Sequence, residues 1–450
     1  MYAPTQTTSG HPKGLYLLFT TEMWERMSFY GMRALLVLYM VDKTRGGFGW
    51  SQAKALDIYG TYTGLVYLTP LLGGFLADRY LGQRRAVVTG GVLMMIGHFL
   101  MAVPGITAFY AALTFLICGN GLFKPNISTM VGGLYEEGDV RRDGAFTIFY
   151  MGINTGAFLS PLICGTLGEK IGWDWGFGSA GVGMGLGLIS FLLFQKKLLG
   201  NIGLPPARRS AETNAAHTPP LTRIEIDRIT VICVFALFVI FFWAAFEQAG
   251  GLMNLYTDQK VDRILFGWEI PTTWFQGVNA ILIVMLGPIF SMMWTRLGRQ
   301  GKDPSTPLKM AFGLFFVSLG FVCMMAAAKQ SEASGKSALV WILATYFFHT
   351  VGELCLSPVG LSVVTKLAPA RYASLLMGVW FLSNAAANKL AGVVGGYSEK
   401  LGEFQLFFTI ALATAAAGLV LFFLVAPLKR KMHGAEDAKN AGAEKSLTAA

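Results

Sequence analysis

Runs of about 18 or more residues without one Lys, Arg, Asp or Glu recur along this chain, Ala86–Val103 and Leu406–Leu428 among them. As a helix, each is long enough to cross the roughly 30 Å of hydrocarbon in a bilayer. A chain made of such runs cannot bury them all in one water-soluble core. Only 14% of its 450 residues are charged, against about 25% in soluble domains. That excludes a secreted disulfide scaffold, a disordered chain and an ordinary soluble enzyme. The fold class is an all-α membrane protein.

Charged or Gly/Pro-rich turns bound twelve transmembrane spans at roughly 15–41, 55–78, 85–104, 107–133, 143–167, 175–195, 229–256, 272–296, 308–328, 338–363, 374–396 and 404–428. An even number puts both termini on one side. With the N-terminus cytoplasmic, the inside loops hold about 23 Lys/Arg and the outside loops about 9, so both termini are expected inside a plasma (inner) membrane. The net charge of +10 (36 minus 26) is explained by these loops, and no nucleic-acid partner is expected. Five cysteines (Cys118, Cys164, Cys233, Cys323, Cys355) fall in apolar stretches without a C-x-x-C pair and read as small core hydrophobes, neither disulfides nor metal ligands. Met1 to Gly14 lacks a basic n-region and a cleavage site, so no cleaved signal peptide is expected.

The long polar connector is Gly200 to Asp227. It divides the chain into an N-terminal six-helix bundle (1–199), a cytoplasmic linker (200–227), a C-terminal six-helix bundle (228–432) and a disordered tail (433–450). The halves echo each other: Leu81-Gly82-Gln83-Arg84 after span 2 returns as Leu297-Gly298-Arg299-Gln300 after span 8, and Lys124-Pro125 in span 4 has its counterpart in Ser357-Pro358 of span 10. A parallel 6+6 repeat is the architecture of one class of secondary transporter, with its substrate site near the midplane.

Ionisable residues inside spans are the most informative, because each costs several kcal/mol unless it faces a polar cavity or a partner. Span 1 carries Glu22, Glu25, Arg26 and Arg33. With Tyr30 they fall within an arc of about 140°, one polar stripe. Lys124 adds a charge in span 4, Glu247 in span 7, Glu353 in span 10 and Lys389 near the outer end of span 11. Arg33 and Glu247 lie about equally deep, as do Lys124 and Glu353. Two cross-half pairings follow, or a competition for Lys124 between Glu353 and span 1. Ion pairs at two depths suit alternately opening gates. No G-x-x-x-x-G-K-[ST] run is present, so energy is expected from an ion gradient. Protons fit, because a carboxylate whose cationic partner moves can switch protonation near neutral pH.

These residues resemble a known family. Glu22-Met23-Trp24-Glu25-Arg26 is similar to the E-x-x-E-R motif of the proton-dependent oligopeptide transporters, in the major facilitator superfamily, and Phe149 through Gly156 looks like their span 5 signature. Gly121 to Asn126, Phe246-Glu247-Gln248 and Gly352 to Pro358 resemble their span 4, 7 and 10 segments, while Gly74 to Arg84 resembles the superfamily loop after span 2. The resemblance covers nearly all of Leu15 to Pro427. It implies a non-enzymatic symporter that imports di- and tripeptides by alternating access, monomeric in the lipid bilayer, with protons as coupling ion and no cofactor or metal. By resemblance, Arg26 and Lys124 hold the peptide carboxylate, and Asn154, Asn279 and Glu353 hold its amino terminus. Arg33 with Glu247 forms a gate, Glu22 and Glu25 carry protons, and Tyr30, Tyr67, Trp243 and Trp380 line side-chain pockets. Asp78 and Arg79 read as a conformational latch, and His349 as a packing residue.

Phe29 stands where the motif often has a tyrosine, and Gly60 where animal members have a histidine, so proton coupling would rest on carboxylates. Gly200 to Asp227 is too short and polar for the two extra helices of many bacterial members. Family relatives that move nitrate are the nearest rival, and Glu353 with the two asparagines argues for an amine-bearing ligand instead. A membrane enzyme would need chemistry that no H-E-x-x-H run or Ser/His pair here supplies.

Overall fold

The computed structural model describes residues 10–136, 139, 141–205, 221–369 and 372–435. Most of the expected linker (206–220) and of the expected tail (436–450) lies outside them. Twelve helical spans emerge close to the expected bounds. Spans 1 to 4 are Lys13–Val41, Gln52–Leu76 with a π-helical turn Ala77–Leu81, Gln83–Met101 and Ile106–Gly132. Span 5 runs Arg141–Ser160, through the π-turn Pro161–Gly165, to Thr166–Lys170, and span 6 is Trp173–Leu198. Span 7 joins Arg223–Phe246, a 3-10 turn Glu247–Gly250 and Leu252–Lys260. Span 8 is the 3-10 turn Thr272–Phe275 followed by Gln276–Arg299. Spans 9 to 12 are Thr306–Ser334, Leu339–Leu367, Ala373–Gly396 with Ser398–Leu401, and Glu403–Lys431.

A helix satisfies the backbone groups of a single segment inside a bilayer without a partner strand, which is why the apolar runs take this form. Eight runs among the described residues are long and apolar enough to cross a membrane. Spans 1, 2, 3 and 11 are not among them, and span 1 carries its polar stripe instead. The surface is apolar to match: Phe423, Leu193, Leu72 and Met292 are each about two thirds exposed, a surface suited to lipid rather than water. Cys118 and Cys233 lie on that exposed surface while Cys164 and Cys355 are buried. The core reading therefore fails for Cys118 and Cys233, because hydrocarbon accepts a thiol as readily as a protein core does.

Small residues set how closely spans approach. A Cβ on Gly73 would fall 1.9 Å from the Gly121 carbonyl oxygen, so spans 2 and 4 touch backbone to backbone. Pro125 has no N–H to return to that carbonyl. Gly90 and Gly119 do the same for spans 3 and 4, and Gly313 and Gly352 for spans 9 and 10.

Packing divides the chain into two units. The first is Met1–Ser210 with Ala249–Gln259 and Arg263–Val284; the second is Ala211–Gln248, Lys260–Asp262 and Met285–Ala450. In the first, span 1 packs on 5 and 6, and span 3 on 4 and 6. In the second, span 7 packs on 11 and 12, and span 9 on 10 and 12. The same plan returns six spans later, as a parallel repeat requires. The segments of spans 7 and 8 nearest their connection pack with the first unit. That connection is a hairpin, Ile264–Leu265 against Trp268–Glu269, turning through Phe266 (φ 52°) and Gly267 (φ 80°). The end of the first unit with the 1–2, 5–6 and 7–8 connections is called the far end below.

Candidate functional site

The span 1 stripe becomes a buried ionic trio. Positions 22, 25 and 26 share a helical face, and Glu22, Glu25 and Arg26 are each no more than 1% exposed. Glu25 grips the guanidinium with both oxygens: Oε1 accepts from Nη2 at 2.6 Å, and Oε2 accepts from Nε. Glu22 Oε1 lies 3.3 Å from Arg26 Nε, while its Oε2 is buried without a hydrogen-bond partner. The trio sets two carboxyl groups against one guanidinium. A bidentate Arg–carboxylate pair is among the stronger polar contacts in proteins.

Neighbouring spans hold the trio in place. Gly156 brings span 5 against it, since a Cβ there would meet the Met23 carbonyl oxygen at 2.3 Å and Arg26 Cβ at 2.8 Å. Gly152, one turn earlier, admits Phe19 in the same way. Between these glycines Asn154 is buried and donates to the Tyr150 carbonyl at 2.9 Å. From span 4, Asn120 donates Nδ2 to Glu25 Oε1 at 3.4 Å, and its own Oδ1 is buried without a partner. Asn120 was not singled out from the sequence. Its signal is position: it lies four residues before Lys124, on the same face of span 4.

Aromatic rings complete the cluster. The Arg26 guanidinium lies 5.1 Å from the Phe29 ring centroid and 5.8 Å from that of Tyr30. Phe29 thus keeps a cation–π role without a hydroxyl. Lys124 lies 5.0 Å from the Tyr67 ring. Arg33, two turns beyond Arg26, donates Nε to the Tyr59 hydroxyl at 2.5 Å. Tyr59, absent from the sequence reading, also meets Gly250, where a Cβ would fall 2.0 Å from its hydroxyl. Asn279 lies half-buried on span 8, in the segment that packs with this unit.

The second unit carries the other candidates. Glu247, 5% exposed, stands where the helix of span 7 gives way to its 3-10 turn. Trp243, one turn earlier, packs edge-on against Phe242 and Phe246, both at 5.2 Å. Glu353 is half-buried on span 10, and Trp380 is buried on span 11. His349 packs among Phe321 (5.1 Å) and Phe246 (6.0 Å), in a space left by Gly320.

Two loop features are built for position rather than binding. At the far end, partial burial works against the Asp42 carboxylate. The Trp173 indole N–H (2.9 Å) and the backbone N–H groups of Thr44, Arg45 and Gly47 overcome this and hold it down at about 2. At the opposite end Arg84 donates to the carbonyls of Ile202 and Gly200, both at 2.6 Å. Within the loop motif after span 2, Arg84 thus fastens the exit of span 6, whereas Arg79 rests on Phe75 and Tyr80.

With this geometry in view, the chain matches the profile of the POT family over residues 84–199 and 221–436. It is 37% identical to a peptide transporter of Yersinia enterocolitica over 97% of this chain and 98% of that one. It is 31% identical to a di-/tripeptide transporter of Lactococcus lactis over 95% of this chain and 98% of that one. A crystal structure of a peptide transporter, POT, in complex with sulfate superposes with a TM-score of 0.89 at 38% identity, covering 96% and 98% of the two chains.

Proposed function

This chain belongs to the POT family and is a multi-pass membrane protein, and on that footing we propose that it is a proton-coupled symporter that imports di- and tripeptides by alternating access. The observation that carries the reading is the hold of Glu25 and Glu22 on Arg26. A peptide is a zwitterion with a carboxylate at one end, and Arg suits a carboxylate bidentately. Arg26 is already engaged, so a substrate carboxylate competes with Glu25 for the same N–H groups. A proton delivered to the Glu22–Glu25 pair removes one negative charge and ends that competition, and Arg26 with Lys124 then takes the substrate. Loss of the proton returns Arg26 to Glu25 and expels the carboxylate. Peptide and proton therefore travel together, with no energy source but the gradient and no cofactor.

Asn154, Asn279 and Glu353 receive the peptide amine; Tyr30, Tyr67, Trp243 and Trp380 face its side chains; Arg33 and Glu247 gate it. The protein works as a monomer in the inner membrane with both termini cytoplasmic, which makes the far end the outer one. Transport, not catalysis, is its task. The test is uptake of labelled dialanine into liposomes holding the purified protein, with and without an inward proton gradient. Gradient-driven accumulation is expected, lost in Glu22→Gln while peptide exchange persists. Absence of any dialanine uptake overturns the peptide reading.

A further inference from the structure

Span 8 begins without a cap of its own. Its N-cap position is Pro271, which offers no side-chain acceptor, so the backbone N–H groups of Thr272 and Thr273 need one from elsewhere. Glu169, near the end of span 5, supplies it. One carboxylate oxygen accepts from Thr272 N–H at 2.7 Å; the other accepts from Thr273 N–H at 2.8 Å and from the Thr273 hydroxyl at 2.6 Å. Negative charge at a helix N-terminus is favourable. The two segments also touch closely: a Cβ on Gly165 would fall 2.0 Å from Thr273 Oγ1, and the Trp274 indole donates to Thr166 at 2.9 Å.

The surroundings tie this cap to the rest of the far end. The Glu169 backbone carbonyl accepts from Arg45 at 2.8 Å, and Arg45 stacks on Trp173 at 4.3 Å. Across the cap, Thr272 donates its hydroxyl to Asp258 at 2.9 Å, and Arg263 bridges Asp258 and Glu269. Span 8 starts in the first unit and continues from Met285 in the second. Asn279 sits seven residues beyond Thr272, about two turns along the same helix.

We propose that Glu169 is a positioning residue for transport: its cap fastens the start of span 8 to span 5, holding the far end shut and setting the position of Asn279. The inference rests on alternating access but on no particular substrate. Opening the far end has to withdraw two backbone N–H groups from this carboxylate, so the cap biases the resting protein toward the closed far end.

The experiment places nitroxide labels on genetically encoded amino acids at Trp175 and Phe266, 60% and 99% exposed at the far end, leaving native cysteines in place. Distances between them are read by pulsed electron resonance in lipid nanodiscs without peptide or gradient. A single narrow distribution is expected for the otherwise unaltered chain. Glu169→Gln presents an amide N–H₂ to backbone donors and is expected to add a population longer by about 5 Å or more. Thr273→Val, which removes one donor, and Glu169→Asp, one methylene short, fall between. Identical distributions in folded Glu169→Gln and Thr273→Val overturn the proposal. If Glu169→Gln does not yield monodisperse protein, Thr273→Val alone decides. Because no peptide is present, failure of dialanine uptake and failure of this cap are read separately.

Discussion

Two carboxylates of the first unit, one buried and one half-buried, meet opposite kinds of partner. Glu25, in the middle of span 1, faces a guanidinium, with a second carboxylate alongside that keeps one oxygen unpartnered. Glu169, at the far end of span 5, is filled by neutral donors: two backbone N–H groups and a hydroxyl. A charge facing a charge can be exchanged for another ion of the same sign, because a substrate carboxylate or a proton substitutes for one member. A charge facing backbone dipoles has no such replacement, since the donors are fixed in the chain. The first arrangement suits carrying; the second suits fastening.

The sharpest way to break the comparison is Arg26→Ala. It strands two buried carboxylates and removes the bidentate donor. About 3 kcal/mol of lost charge-assisted bonding corresponds to roughly a 100-fold fall in gradient-driven dialanine uptake, measured in liposomes. Arg26→Lys keeps the charge without the fork and is expected to recover only part of it. Uptake unchanged in Arg26→Ala would mean that Arg26 is only a structural counter-ion.

A smaller effect sharpens the exchange side. Asn120 contributes one neutral hydrogen bond to Glu25, worth about 1 kcal/mol. Asn120→Leu is therefore expected to lower uptake about five-fold, with thermal stability little changed, by the same liposome assay and a melting curve. A fall as large as that of Arg26→Ala would place Asn120 among the carriers of the transported ions.

The smallest effect belongs to the fastening side. Asp42, like Glu169, is held by N–H donors. Its folded-state value of about 2 lies below the usual unfolded value of about 3.9. The stability it contributes is therefore fully present above that unfolded value and is lost as pH falls through about 2. Asp42→Asn is expected to melt a few degrees lower at neutral pH, with the difference from the unaltered chain closing in acid. A difference that does not shrink as pH falls would show that the carboxylate charge is not what the N–H groups hold.

Much of the fold was legible because membrane insertion is decided residue by residue. The bounds expected for span 1 (15–41) and span 8 (272–296) fall within three residues of Lys13–Val41 and Thr272–Arg299. Span 7 runs further at each end than its apolar stretch, since Thr222 and Glu225 form a capping box that starts the helix in polar sequence. In the candidate site, the stripe of Glu22, Glu25 and Arg26 was visible from helical period alone. Tyr59 was not, because nothing local distinguishes a packing tyrosine from one facing a charge; Asn120 showed only through the helical face it shares with Lys124.

The sequence by itself determined the number of spans, the two-fold plan of the chain and the face of span 1 that carries charge. All three follow from transfer energies and a 3.6-residue period, which act within one segment. Only the tertiary structure decided which group each charge meets: Glu25 before Glu22 for Arg26, Asn120 for Glu25, and the start of span 8 for Glu169. Those choices depend on the rotation and depth of separate helices. Contacts such as Gly156 on Arg26 and Gly165 on Thr273 set them, and no periodicity within one helix encodes them.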